Sequence, residues 1–163
     1  MLKKMFKTLN AKKLDILSPI EGDAIPVSQV NDPAFQNELL GKGVAIRPLH
    51  GRVVAPFEGT VTQVFDTGHA IRMVSCDNIE ILIHIGLETI NLKGRNFSVC
   101  VREGDKIKPG DVLMLFDYDK ITAEGFDIVS PVVVCNSGDY QLVEPLLGAV
   151  EELEPIIRLH KGE

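Results

Sequence analysis

The sequence predicts an all-β chain, a sandwich or barrel of short strands with one or two short helical turns. Three observations lead there. Short runs rich in β-branched and aromatic residues recur from Ile16 onward. Clusters of Gly, Pro, Asn and Asp separate them. Helical periodicity is confined to short pieces.

Taken in order, the expected strands are "RVVAP", "TVTQVF", "AIRMVS", "IEILIHI", "FSVCV", "DVLMLFD", "IVSPVVVCN", "YQLVE" and "PIIRLH". The intervening "FEG", "CDN", "LKGRN", "EGDKIKPGD" and "NSGD" have the composition of tight turns. Helical turns are expected only in "PAFQNELLG", after Asp32, and in "DKITAEGF", after Tyr118. The "GKG" of Gly41 and Gly43 lacks a following Walker pattern and reads as a turn leading into "VAIRP". The "EGDKIKPGDVL" segment resembles turns of lipoyl and biotinyl carrier domains, but no lysine stands at a hairpin tip for attachment.

A chain of 163 residues forms one domain with a substantial core. Residues 1–13 carry Lys3, Lys4, Lys7, Lys12 and Lys13 and no acid, leaving 12 basic against 23 acidic residues in the body. Residues 1–15 are therefore expected to form a flexible basic segment ahead of a domain over 16–163. In that segment Leu2, Met5, Phe6 and Leu9 recur at helical spacing opposite the lysines, a pattern that admits weak membrane-surface contact through residues 1–13. The acidic body argues against a nucleic-acid partner. There is no apolar run of spanning length and no secretory leader pattern. The expected location is cytoplasmic, with a peripheral position at the inner face of the membrane as the alternative. Cys76, Cys100 and Cys135 are widely spaced and read as reduced, structural thiols.

The chemistry concentrates in "FDTGHAIRMVSCDNIEILIHIGLET". In "EILIHIG" the alternation puts Ile81, Ile83 and Ile85 on one face, and Leu82, His84 and Gly86 on the other. In "TGHAIRMV", Thr67, His69, Ile71 and Met73 share a face by the same count. A two-residue Cys76-Asp77 loop sets Ser75 against Asn78, and counting back from it sets His69 directly against His84. Opposed side chains of this kind lie about 5 Å apart at Cβ. Two imidazoles on an apolar face suit zinc binding, general acid–base catalysis or nucleophilic attack on phosphorus. Zinc lacks a third ligand here, because Glu80 stands about 13 Å along the strand. His50 and His160 read as surface histidines.

The stretches "LSPIEGDAIPVSQVNDPAF", "LLGKGVAIRP", "VVAPFEGTVTQVFDTGHAI", "IEILIHIGLETINLKGRNF", "EGDKIKPGDVLMLFD" and "IVSPVVVCN" together resemble the glucose-type enzyme IIA component of the bacterial phosphoenolpyruvate-dependent sugar phosphotransferase system. The resemblance runs in order from about Ile16 to the end. It implies an antiparallel β-sandwich or barrel-sandwich hybrid, and a phosphohistidine carrier that needs no cofactor. His84 matches the phosphoryl acceptor, His69 the histidine that stabilises the phosphoryl group, and Thr67 the threonine that orients the pair. Phe35, Leu39, Leu40, Phe65 and Leu82 fall at the family's apolar docking collar, with Glu88 beside them. The implied donor is the phosphocarrier HPr, and the acceptor a cysteine on the IIB domain of a sugar permease. No intrinsic metal is implied, although His69 and His84 could supply two zinc ligands in a complex. Departures are Glu88 for the usual aspartate, Arg95 where an acid is frequent, and Gly68 before His69. Two other readings stay open: a regulator read out through His84 phosphorylation, and a zinc hydrolase on a similar scaffold.

Overall fold

The computed structural model describes residues 13–162. The amphipathic pattern of Leu2, Met5, Phe6 and Leu9 lies outside them. Among the described residues fourteen strands follow in chain order. They are β1 (Lys13–Leu17), β2 (Gly22–Pro26), β3 (Lys42–Pro48), β4 (Arg52–Val54), β5 (Gly59–Val64), β6 (Ala70–Ser75) and β7 (Glu80–His84). Then come β8 (Phe97–Val99), β9 (Lys106–Ile107), β10 (Val112–Phe116), β11 (Ser130–Val134), β12 (Leu142–Pro145), β13 (Gly148–Val150) and β14 (Pro155–His160). All the strand pairings are antiparallel. They form an eight-stranded sheet, β13-β2-β3-β11-β7-β6-β5-β9, and two three-stranded sheets, β1-β14-β12 and β4-β10-β8. The expected all-β architecture is what the chain adopts.

β1 revises the expected boundary at residue 16. Lys13, Leu14 and Asp15 pair with His160, Leu159 and Arg158 of β14. Arg158 Nε donates to Asp15 Oδ1 at 2.7 Å. These three residues belong to the folded body, because their partners come from the far end of the sequence.

Among the described residues there are two short α-helices, both in the segments expected. α1 (Pro33–Gln36) starts on Asp32, whose side chain accepts from the Ala34 amide at 3.0 Å, with Pro33 in the first turn, where its missing N–H costs nothing. α2 (Tyr118–Ala123) starts on Asp117, which accepts from the Lys120 amide at 3.0 Å, and buries Ile121.

The main core lies against one face of the large sheet and includes Val44, Ile46, Ile71, Met73, Ile81, Ile83, Val132 and Val134. A second apolar cluster covers the opposite face: Ala45, Ala70, Leu82 and Val133, capped by Phe35, Val27, Val30, Leu87 and Val129. The central strands are therefore buried on both faces, which explains their near-continuous Val, Ile and Leu runs.

The β6–β7 hairpin differs from the expected register by one residue. Its loop holds three residues, Cys76, Asp77 and Asn78, and Ser75 N donates to Ile79 O at 2.9 Å. Asn78 takes a left-handed φ of 62°, a conformation that asparagine tolerates and that closes loops of this length. Ser75 Oγ accepts from the amides of Asp77 and Ile79, pinning the loop. Ala70, not His69, therefore stands opposite His84, and Arg72 opposite Leu82. Ile71 and Met73 join the main core and do not share a face with the histidines.

The "GKG" segment has a packing explanation. Gly43 opposes Val133 across the β3–β11 ladder, and a Cβ there would lie 2.2 Å from the Val132 carbonyl oxygen. Gly43→Ala should force these central strands apart and lower stability by about 2 kcal/mol or more. Urea unfolding checks it; an unchanged midpoint would refute the packing role.

Candidate functional site

His84 is the last residue of β7, and the chain turns immediately after it. Gly86 takes a left-handed φ of 72°. This turn carries its carbonyl back to the histidine, so that His84 Nδ1 lies 2.8 Å from Gly86 O. A carbonyl only accepts, so Nδ1 holds the proton and Nε2 keeps its lone pair. The turn is itself secured. Gly86 N donates to Ser130 Oγ at 3.3 Å, Leu87 N donates to Asp127 O at 2.8 Å, and Thr89 Oγ1 donates to Ile85 O. A Cβ on Gly86 would meet the Thr89 side chain at 2.6 Å and the Asp127 carbonyl at 3.0 Å.

His69 reaches His84 by a route the strand alternation did not supply. It lies just outside β6, after Gly68, whose φ is 72°. The left-handed residue swings the chain off the strand path and turns the imidazole to His84's side of the sheet. The rings meet edge to face at 4.9 Å between centroids and 79° between planes. The His69 carbonyl also accepts from Ile85 N at 2.8 Å, tying the two backbones together. Thr67 Oγ1 lies 2.5 Å from His69 Nδ1. The three residues singled out from sequence, Thr67, His69 and His84, are thus brought together, by a turn and a shifted register instead of direct cross-strand opposition.

The expected docking residues divide. Phe35 and Leu82 are each only 2% exposed, so they cannot present area to a partner. Phe35 packs its ring on His84 at 5.1 Å, and Leu82 lies within the second cluster. Their place in the collar is corrected to that of a support beneath it. Phe65 is half-buried and stands edge-on to His69 at 5.6 Å. Leu40 is half-buried, Leu39 is 73% exposed and Glu88 is exposed. Ile90, which the sequence reading did not single out, is exposed soon after Glu88 in the same loop. Arg95 does not stand free on the rim: its guanidinium pairs with Glu124 at 3.2 Å.

Burial sets the electrostatics. Desolvation, reinforced by the neighbouring His84, pushes the His69 pKa down to about 4. His84 is also held below the usual imidazole value by burial, against the Gly86 carbonyl and the Asp32 carboxylate, which both favour its cation. At neutral pH both rings are neutral. Asp32, Glu88, Glu124 and Asp127 line a cleft of about 420 Å³ together with Pro33 and Leu87, giving the face an acidic flank. Asp32 and Gly86 escaped the sequence reading as site residues. The signals available for them were an N-cap before proline and a glycine after "HI". Among the described residues no three or more His, Cys, Asp or Glu side chains converge as a metal site.

The lowered values carry a sign. The unfolded chain takes up protons on these histidines below about pH 6.5, while the folded chain resists, so their contribution to stability is present above 6.5 and fades as pH falls toward 4. In an NMR titration the His69 ring should show a midpoint near 4 and the His84 ring one below 6.5. A midpoint at or above 6.5 for either ring would contradict the burial argument.

The sequence pattern of the family described as phosphoenolpyruvate-dependent sugar phosphotransferase system, EIIA 1, matches residues 14–140. A glucose-specific EIIA component from Oceanobacillus iheyensis is 40% identical over 146 residues, 88% of this chain and 88% of that protein. A beta-glucoside-specific EIIBCA component from Bacillus subtilis is 44% identical over 88% of this chain but only 24% of its own length, and one from Dickeya chrysanthemi is similar. The chain thus spans about a quarter of the length of these EIIBCA relatives. The solved glucose permease IIA from Mycoplasma capricolum superposes with a TM-score of 0.82 at 30% identity, covering 90% of this chain and 96% of that one. With a matching pattern over most of its length, relatives at this identity and the same β-sandwich, the chain belongs to the EIIA type 1 family of phosphocarriers of the sugar phosphotransferase system.

Proposed function

We propose that His84 is the phosphoryl carrier of this chain, taking the group from phospho-HPr and passing it to a cysteine on the IIB domain of a sugar permease. The observation that supports this most directly is the His84 Nδ1–Gly86 O hydrogen bond, which leaves Nε2 as the nucleophile. In the first step Nε2 attacks phosphorus, the new N–P bond forms as the bond to the donor imidazole breaks, and the proton stays on Nδ1, hydrogen-bonded to the Gly86 carbonyl. In the second step the acceptor thiolate attacks phosphorus and the electron pair of the N–P bond returns to Nε2.

His69 acts as the support. In this reading the hydrogen bond between the Thr67 hydroxyl and His69 Nδ1 is donated by the hydroxyl, so that the ring proton sits on Nε2 as a donor for a phosphoryl oxygen. The buried, neutral rings limit access of water to the phosphohistidine. The transfer requires no cofactor, since positioning and hydrogen bonding carry it. Its partners place the chain in the cytoplasm, at the inner face of the membrane when it meets a permease. Among the described residues no helix is long and apolar enough to cross a membrane.

The test is incubation with phosphoenolpyruvate, enzyme I and HPr, followed by intact mass. One acid-labile phosphoryl adduct is expected on the wild type and none on His84→Ala. His69→Gln should still accept the group but pass it on about 100-fold more slowly. Thr67→Ala should slow onward transfer by about tenfold through a disordered His69 tautomer. An adduct that survives His84→Ala would overturn the assignment.

A further inference from the structure

Arg72 projects from β6 on the same side of the large sheet as His84. It opposes Leu82, while Ala70 opposes His84, so its backbone stands two residues, about 7 Å, along the strand from the position facing the carrier histidine. Across the other ladder it faces Gln63, where β5 carries a bulge that inserts Thr62. Arg72, Thr62, Gln63, Glu80 and Cys135 line a cleft of about 340 Å³. The guanidinium is close enough to Cys135 for its charge to favour the thiolate there. It therefore leans into this cleft.

The Nε of Arg72 is shielded from solvent and has no hydrogen-bond partner among the described residues. Among the described residues no salt bridge joins a carboxylate to the guanidinium, although Glu80 lines the same cleft. A buried donor left unpaired is costly, and a planar guanidinium is shaped to take a carboxylate through two parallel N–H bonds. On the Asp32 side of His84 the charges have the opposite sign: Asp32, Glu88, Glu124 and Asp127. A partner that covers His84 and extends along the strands toward Glu80 and Cys135 thus meets acids on one flank and, on the other, a guanidinium with no ion-pair partner among the described residues.

We propose that Arg72 is a specificity residue for phosphoryl transfer, its guanidinium receiving a carboxylate of the IIB domain that takes the phosphoryl group from His84. The inference rests on the reading of His84 as carrier. The acceptor, not the donor, is chosen because relatives of this chain are named for different sugars, including glucose and beta-glucosides. The permease-borne partner is the one that varies with the sugar, and a charge that tells partners apart acts on the partner that varies.

The experiment measures both half-reactions for Arg72→Gln, Arg72→Lys and Arg72→Glu, with phospho-HPr as donor and the purified IIB domains of the host's sugar permeases as acceptors. For the cognate acceptor, Arg72→Gln should raise KM by about tenfold with kcat unchanged, and Arg72→Glu should raise it further. Arg72→Lys should restore only part, because it keeps the charge but not the planar fork. Replacing the acceptor's surface carboxylates one at a time with lysine should identify one that recovers transfer from Arg72→Glu. The proposal is overturned by an unchanged KM for every acceptor, by an equal or larger rise confined to the HPr step, or by loss of kcat alone. Failure of the wild type to take phosphate on His84 would instead remove the carrier reading on which it rests.

Discussion

A strand buried on both faces that ends in a half-exposed histidine is the constraint on which this molecule is built. β7 contributes Ile81 and Ile83 to one apolar cluster and Leu82 to the other, which leaves its backbone no freedom to slide or twist. His84 follows at the point where burial ends, and the Gly86 carbonyl fixes its tautomer. A rigid strand sets where the ring is, and a turn sets which nitrogen is free. The second cluster matters as much as the main core, because Phe35 of that cluster packs on the imidazole while the same apolar surroundings keep the imidazole neutral.

Much of this could be read in the sequence, and the parts that could not share a cause. The Ile81–Ile83–Ile85 stripe and the two helical turns follow from local periodicity and turn residues. The hairpin register did not, because Cys-Asp-Asn after Ser75 closes a three-residue loop as readily as Cys-Asp closes a two-residue one. Only the Ser75 side chain, capping two amides of the loop, distinguishes them. The burial of Phe35 and Leu82 depends on where α1 folds back, a contact between distant parts of the chain that no alternation pattern encodes. β1 was missed for the same reason: its partner strand is set by residues about as far away as the chain allows. Thr67, His69 and His84 meet even though the geometry drawn for them differs, since Gly68 and the one-residue shift offset one another.

The electrostatics separate two tasks. Around the histidines the environment is apolar, and charge is kept away by burial; on the flanks charge is displayed. Asp32 belongs to both, since it caps α1 and also favours the His84 cation. Its carboxylate lies where it can attract a cationic partner, yet burial still holds the His84 ring neutral. The face combines a dry, neutral reaction centre with a polar rim, the arrangement expected where partners bind repeatedly and leave again.

The pairing of β1 with β14 has a consequence beyond stability. Lys13 sits across from His160, so the polypeptide enters and leaves the fold at one place on one sheet. Whatever is joined before the first strand or after the last would be tethered from nearly the same point, and the domain could be spliced into a longer chain without disturbing a single core contact. A module with adjacent entry and exit is portable. The same fold can then work as a free carrier that finds its acceptor by diffusion, or as one segment of a fused protein, where a linker replaces much of the search.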